Sequence, residues 1–242
     1  MATAAPMETE TGTGMATFKC AVNAGALDLG NLAAHLQALA AAGIDEVYCG
    51  VRDGIFEGPH TGGIDLVKAI RGCSALPIHV HLMCERPERW TEAYVAAGAG
   101  CVTVHAETCV HDHRALTQLR AAGVGAGIAV MPGTSLTAVD YLLPEADRLL
   151  LRTGYPEAAD VRLGGKAAER VRILKENIAY HEYRCGIEVE GGIDAESAAR
   201  YIHFGAGSVV LGGNALPADG AGDWSRALAA FKGAVDAAKQ VV

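Results

Sequence analysis

Residues 77–107, PIHVHLMCERPERWTEAYVAAGAGCVTVHAE, hold one complete strand–helix–strand unit. Ile78–Met83 is a short apolar run of strand length, with His79 and His81 alternating with Val80 and Leu82. Pro87 opens a helix over Pro87–Ala97, since proline suits the first helical turn, and glycine follows the helix end and turns the chain into a second strand, Cys101–Ala106.

The same unit repeats outward in both directions. Further strands are expected at Phe18–Val22, Glu46–Val51, Gly127–Met131, Arg148–Thr153, Gly186–Glu190 and Ser208–Leu211. Between them lie helical runs at Leu29–Ala42, Ile64–Gly72, Asp112–Ala122, Leu136–Leu142, Gly165–His181 and Ala195–Phe204, with a closing helix at Asp223–Lys239. The phrases AAGIDEV (41–47), AAGAGCV (96–102), AAGVGAG (121–127) and HFGAGSV (203–209) share one device, a glycine that lets a helix end turn sharply into a strand. Eight alternating units predict a parallel sheet closed as a single-domain (β/α)8 TIM barrel.

Composition agrees and excludes other classes. The chain has 242 residues, 50% hydrophobic and 20% charged, with mean hydropathy +0.19, which rules out a disordered polymer. A formal net charge of -8 argues against nucleic acid as the main partner. No apolar run reaches the roughly 18–20 residues that span a bilayer, so no membrane partner is expected. The first fifteen residues, MATAAPMETETGTGM, lack a basic start and an apolar core; they are expected to be a disordered leader (1–15), with the barrel over 16–242. Seven cysteines without paired spacing point to reduced thiols in the cytoplasm.

In such a barrel the chemistry sits where strands end. Period-two alternation puts His79 with His81, His105 with Glu107 and Glu188 with Glu190 on common faces, and the histidines of the third strand are expected to point into the mouth. Gly191 and Gly192 follow the seventh strand and Gly212 and Gly213 the eighth, where exposed backbone N–H groups and a helix start can hold phosphate. The alternative is that these glycines only permit tight turns.

VRDGIFEG (51–58), PIHVHLMCERPERW (77–90), VTVHAET (102–108), AVMPGTSL (129–136) and IEVEGGI (187–193) resemble the ribulose-phosphate 3-epimerase family of phosphate-binding barrels. The resemblance covers residues 17–216 and implies a phosphosugar ligand, an enediolate mechanism and a homo-oligomer. It also implies two aspartates that carry protons and, with two histidines, hold a divalent metal. Carried over, the first histidine falls on Tyr48, the first aspartate on Gly50, the second histidine on His81 and the second aspartate on Glu190. Two rim methionines of the family are Arg52 and Arg152, whereas Met83 keeps its identity. Asp53 with Gly54 is expected to pin the loop after the second strand.

These departures leave several readings. The first is an isomerase, epimerase-like and working without the family's metal: Glu190 is an acid/base, Tyr48 or His81 is the second proton carrier, and Arg52 and Arg152 replace the metal or bind a second anionic group. Alternatively the arginines reach solvent or pair with Glu190 and Glu107. Gly50 leaves room for a different substrate, so epimerisation, isomerisation and aldol cleavage all remain. Gly164, Gly165 and Lys166 are expected to form a displaced phosphate loop. The second reading rebuilds a zinc, iron or manganese site from His79, His81, His105, Glu107 and Glu190. The third is a phosphosugar-binding protein without catalysis.

Overall fold

The computed structural model describes residues 18–154, 162–213, 215–216 and 223–239. Eight strands, β1 (Lys19–Asn23), β2 (Glu46–Arg52), β3 (Ile78–Met83), β4 (Cys101–His105), β5 (Gly125–Val130), β6 (Arg148–Arg152), β7 (Gly186–Glu190) and β8 (Ser208–Leu211), pair in sequence order and close β8 onto β1. Every neighbouring pair is parallel. The helices are α1 (Leu32–Ala42), α2 (Ile64–Cys73), α3 (Thr91–Ala96), α4 (Asp112–Ala121), α5 (Arg162–Tyr180), α6 (Ala195–His203) and α7 (Trp224–Lys239). The expected TIM barrel is thus the observed one. The leader expected at 1–15 lies outside the described residues.

Two local choices set the ends of the units. Gly43, Gly98, Gly123 and Gly205, the glycines of the four repeated phrases, all have φ between +76° and +111°, a region costly for residues with a Cβ. Asp45 and Asp147 then hold the strand starts, their carboxylates accepting from the Cys20 and Ala126 N–H groups at 2.8 and 2.9 Å. Apolar residues form a ring between sheet and helices, with Leu36, Leu39, Ile70, Leu116, Leu119 and Leu143 almost wholly buried.

The expected helix at Leu136–Leu142 is instead a single 3-10 turn, Leu136–Val139. Gly133 and Pro144 bracket too few residues there for tertiary packing to extend a helix. The expected loop 164–166 is also corrected: α5 begins at Arg162, so Gly164, Gly165 and Lys166 lie in its first turns. Helix propensity does not favour paired glycines, and the amphipathic run that follows overrides it.

Candidate active site

The barrel interior is layered. A small apolar cluster of Ala21, Tyr48, Ala129, Leu150 and Val210 divides a polar bottom from a polar mouth. At the bottom, Arg148 Nη1 lies 2.8 Å from Glu46 Oε2, 2.8 Å from His79 Nδ1 and 3.1 Å from Glu188 Oε1. His79 Nε2 meets Thr103 Oγ1 at 2.7 Å, and Ser208 donates to Glu188 at 3.0 Å. Burial alone would raise the Glu188 carboxyl; Arg148 and His79 outweigh it and bring it down to about 2. Glu46, His79 and Glu188 have metal-compatible spacing, but the Arg148 guanidinium sits among them as their cation. His79 therefore belongs to a bottom ionic network, not to the mouth. Alternation fixes its side of the strand, whereas its depth depends on strand register.

One level up, the Tyr48 hydroxyl and His81 Nδ1 are 2.6 Å apart, both wholly buried. Burial pushes the Tyr48 phenol well above its ordinary value. Burial, followed by the nearby His105 and Arg152, holds His81 well below the usual histidine range, so this imidazole stays neutral. The His81 ring stacks on His105 with centroids 4.8 Å apart. His105 Nδ1 faces Glu107 Oε2 at 2.8 Å, and the other oxygen of Glu107 accepts from the Met131 N–H at 2.7 Å and the Thr134 hydroxyl at 2.5 Å. Those bonds outweigh the burial of Glu107 and bring its carboxyl down to about 2. The Nε2 atoms of both imidazoles are buried and have no hydrogen-bond partner among the described residues.

On the other side of the mouth Arg152 donates to both oxygens of Glu57, at 2.8 and 3.0 Å, and its Nε is 2.6 Å from Glu190 Oε2. Met83 Sδ also accepts from Arg152, at 2.9 Å. Arg52 Nε is 3.6 Å from Glu57. The two arginines are thus balanced by Glu57 and Glu190. Of the partners expected from sequence Glu190 is found and Glu107 is not, because Glu107 is engaged by His105 and Thr134. A Cβ built on Gly50 would lie 2.8 Å from Met83 Cε and 3.2 Å from the Tyr48 ring, so the room expected there is filled by side chains.

The loop after β2 closes over this chemistry. Asp53 accepts from the Ile55, Phe56 and Glu85 N–H groups at 2.7 to 2.9 Å, the pinning role expected of it. Arg52 and Thr61 bridge the base of the loop, Phe56 packs edge-on against His105, and Glu57 reaches Arg152. Sequence reasoning missed Glu57. It lies inside the quoted VRDGIFEG, but a loop residue has no periodicity to betray its direction. Glu46 and Arg148 were missed as well, for they start strands.

A cleft of about 430 Å³ opens beside Arg152, with Pro132, Thr153, Lys166 and Arg170 among its walls. Gly191 and Gly192 turn the chain after β7 with φ +125° and +60°. A Cβ on Gly212 or Gly213 would have open space within 4 Å. The start of α6 behind the first glycine pair is already capped, since Asp194 accepts from the Ser197 N–H at 2.8 Å.

A closed parallel barrel whose carboxyl rim gathers imidazoles, carboxylates, arginines and paired glycines has the build of a (β/α)8-barrel enzyme. Residues 20–216 match the ribulose-phosphate 3-epimerase family, and the chain belongs to it. The chain is 37% identical to the ribulose-phosphate 3-epimerase of Aquifex aeolicus, covering 74% of this chain and 80% of that one. It is 32% identical to the Bacillus subtilis protein of the same name, covering 76% and 86%. These relatives are carbohydrate-phosphate epimerases. Among solved structures, 3-hexulose-6-phosphate synthase from Salmonella typhimurium superposes with a TM-score of 0.62 at 19% identity, covering 91% of this chain and 99% of that one. The 3-keto-L-gulonate-6-phosphate decarboxylase of Vibrio cholerae gives 0.65 at 12%, covering 92% and 99%. At those identities the likeness is one of fold.

Proposed function

We propose that the chain epimerises a ketose phosphate through an enediolate, with Glu190 as one acid/base group and without the family's metal. The observation that carries the reading is placement. Glu190 ends β7 and His81 lies on β3, four strands away in a closed ring of eight, so the two approach a bound sugar from opposite sides. Enolisation needs a base at the carbon and a donor for the developing oxyanion, and Glu190 and His81 can supply these two from opposite sides of the sugar.

The residues do not fit the metal. Gly50 offers no ligand atom, and the Met83 methyl lies 2.8 Å from where its Cβ would stand. Tyr48 is committed to His81, and Glu190 to Arg152. A fixed guanidinium 2.6 Å from the last carboxylate repels a divalent cation. The rebuilt set fares no better, because His79 is claimed at the barrel bottom and Glu107 by its own partners. Tyr48 and His81, each a candidate second proton carrier, form one unit. With the tyrosine hydroxyl donating to Nδ1, the neutral ring presents an Nε2–H that serves the carbonyl oxygen. Arg52 and Arg152 support this site by holding Glu57 and Glu190 in place.

We assign phosphate to the rim formed by Gly191, Gly192, Gly212 and Gly213, helped by Lys166, which lines the cleft beside Arg152, and by the first turn of α5, which contains Gly164 and Gly165. No described helix is long and apolar enough to cross a membrane. The cysteines are unpaired, six of them buried, which supports a reducing cytoplasm. Family membership supports a homo-oligomer.

The test is incubation of ribulose 5-phosphate with the protein in deuterated water. Deuterium at C3 together with the C3 epimer is expected. Binding without exchange would leave a phosphosugar-binding protein instead, and carbon–carbon cleavage would make it a lyase.

A further inference from the structure

The epimerisation reading leaves one face of the substrate without a base. His81 is kept neutral and is used at the oxygen, and Glu190 serves one face from β7. Two observations converge on the other face. His105 ends β4 with its Nδ1 on Glu107 and its Nε2 buried, with no partner among the described residues. Glu107 is itself fixed by the Met131 N–H and the Thr134 hydroxyl, so the imidazole has one tautomer and one orientation. A buried nitrogen without a partner keeps its desolvation cost, which a merely structural histidine has no reason to carry.

We propose that His105, positioned by Glu107, is the second acid/base residue, returning or removing the C3 proton on the face opposite Glu190. This rests on the epimerisation reading and assigns a residue that the family's two-aspartate scheme does not use. β4 and β7 are three strands apart, and the stacking of His105 on His81 places the base beside the donor for the oxyanion.

The step balances without a redox partner. In one direction the Glu190 carboxylate takes the C3 proton, the C–H electron pair becomes the C2–C3 double bond, and the carbonyl electrons move onto the oxygen that faces His81 Nε2–H. The His105 imidazolium, charge-balanced by Glu107, then delivers its proton to the opposite face of C3 as the carbonyl re-forms. Glu190 ends protonated and His105 neutral, and the reverse reaction uses that pair. Solvent exchange resets the enzyme. Phe56 covers His105 edge-on, so the loop after β2 is the element that yields to admit the sugar.

The experiment compares His105→Asn, Glu190→Gln and the unaltered chain, with ribulose 5-phosphate and its C3 epimer supplied separately in deuterated water. The unaltered chain is expected to label and interconvert both. His105→Asn is expected to lose interconversion by about 10²-fold or more while still labelling C3 of one epimer from the Glu190 face. Glu190→Gln is expected to label only the other epimer. Interconversion by His105→Asn within about threefold of the unaltered chain, or equal loss of labelling with both epimers, overturns the assignment. No labelling by the unaltered chain overturns the epimerisation reading itself. Should His105→Asn not fold, Glu107→Gln replaces it. Its kcat is expected to fall about tenfold or more with KM within about threefold and the same one-epimer bias in labelling; an unbiased decline refutes the role.

Discussion

Arg152→Met restores the side chain found at this rim position in the resembled family, and this protein is expected to tolerate it badly. Arg152 is 2% exposed and donates to both oxygens of Glu57, which is 5% exposed, while Glu190, 8% exposed, lies against its Nε. Removing the cation leaves two buried carboxylates with, among the described residues, Arg52 3.6 Å from Glu57 as the remaining cation. Breaking a buried pair in this way costs about 3–5 kcal/mol, since the remaining charges keep their desolvation penalty. In a chain of this size each kcal/mol moves the melting temperature by about 2–4 °C, so a fall on the order of 10 °C is expected. The assay is urea denaturation followed by circular dichroism near neutral pH for Arg152→Met, Glu57→Gln and the double variant. Because both singles orphan the same contact, the double should recover on the order of 2 kcal/mol relative to their sum. A single Arg152→Met within about 1 kcal/mol of the unaltered chain, or strict additivity, refutes the buried ion-pair reasoning.

Three further outcomes follow from the same geometry. The Glu188 carboxyl is depressed to about 2 in the folded barrel and titrates higher when unfolded. Its contribution to stability is therefore complete above the unfolded value near 4.5 and is lost as pH falls toward 2; acid titration of the melting temperature should lose that slope in Glu188→Gln. Lys166→Ala should raise KM for a sugar phosphate about tenfold with kcat little changed, because the cleft wall binds substrate and transition state alike; steady-state kinetics check this. Gly50→Asp should not increase metal uptake, since Tyr48 stays committed to His81 and Glu190 to Arg152; metal analysis of the loaded variant checks this.

The repeated helix–glycine–strand phrases carried the barrel because each is a local instruction, and Gly43, Gly98, Gly123 and Gly205 all adopt the backbone those phrases call for. Alternation likewise placed His81, Glu190 and His105 on the inner face of their strands. It failed on depth. His79 shares a face with His81 but sits a layer lower, where Arg148, Glu46 and Glu188 claim it. Depth follows from the register between strands, which one strand's sequence does not encode. Glu57 was illegible for another reason: its direction depends on a loop whose ends are pinned by Asp53 and Thr61, contacts that no period reveals. The departures at Tyr48, Gly50, Arg52 and Arg152 were visible in sequence, but that Met83 fills the place of a carboxylate and Glu57 balances the arginines appeared only in three dimensions.

Metal-free enolisation is tested most directly by following C3 proton exchange of ribulose 5-phosphate after exhaustive chelation, with metal content measured on the same sample. An unchanged exchange rate at a metal content far below one ion per chain is expected. Exchange abolished by the chelator and restored by zinc, iron or manganese at one ion per chain would contradict it.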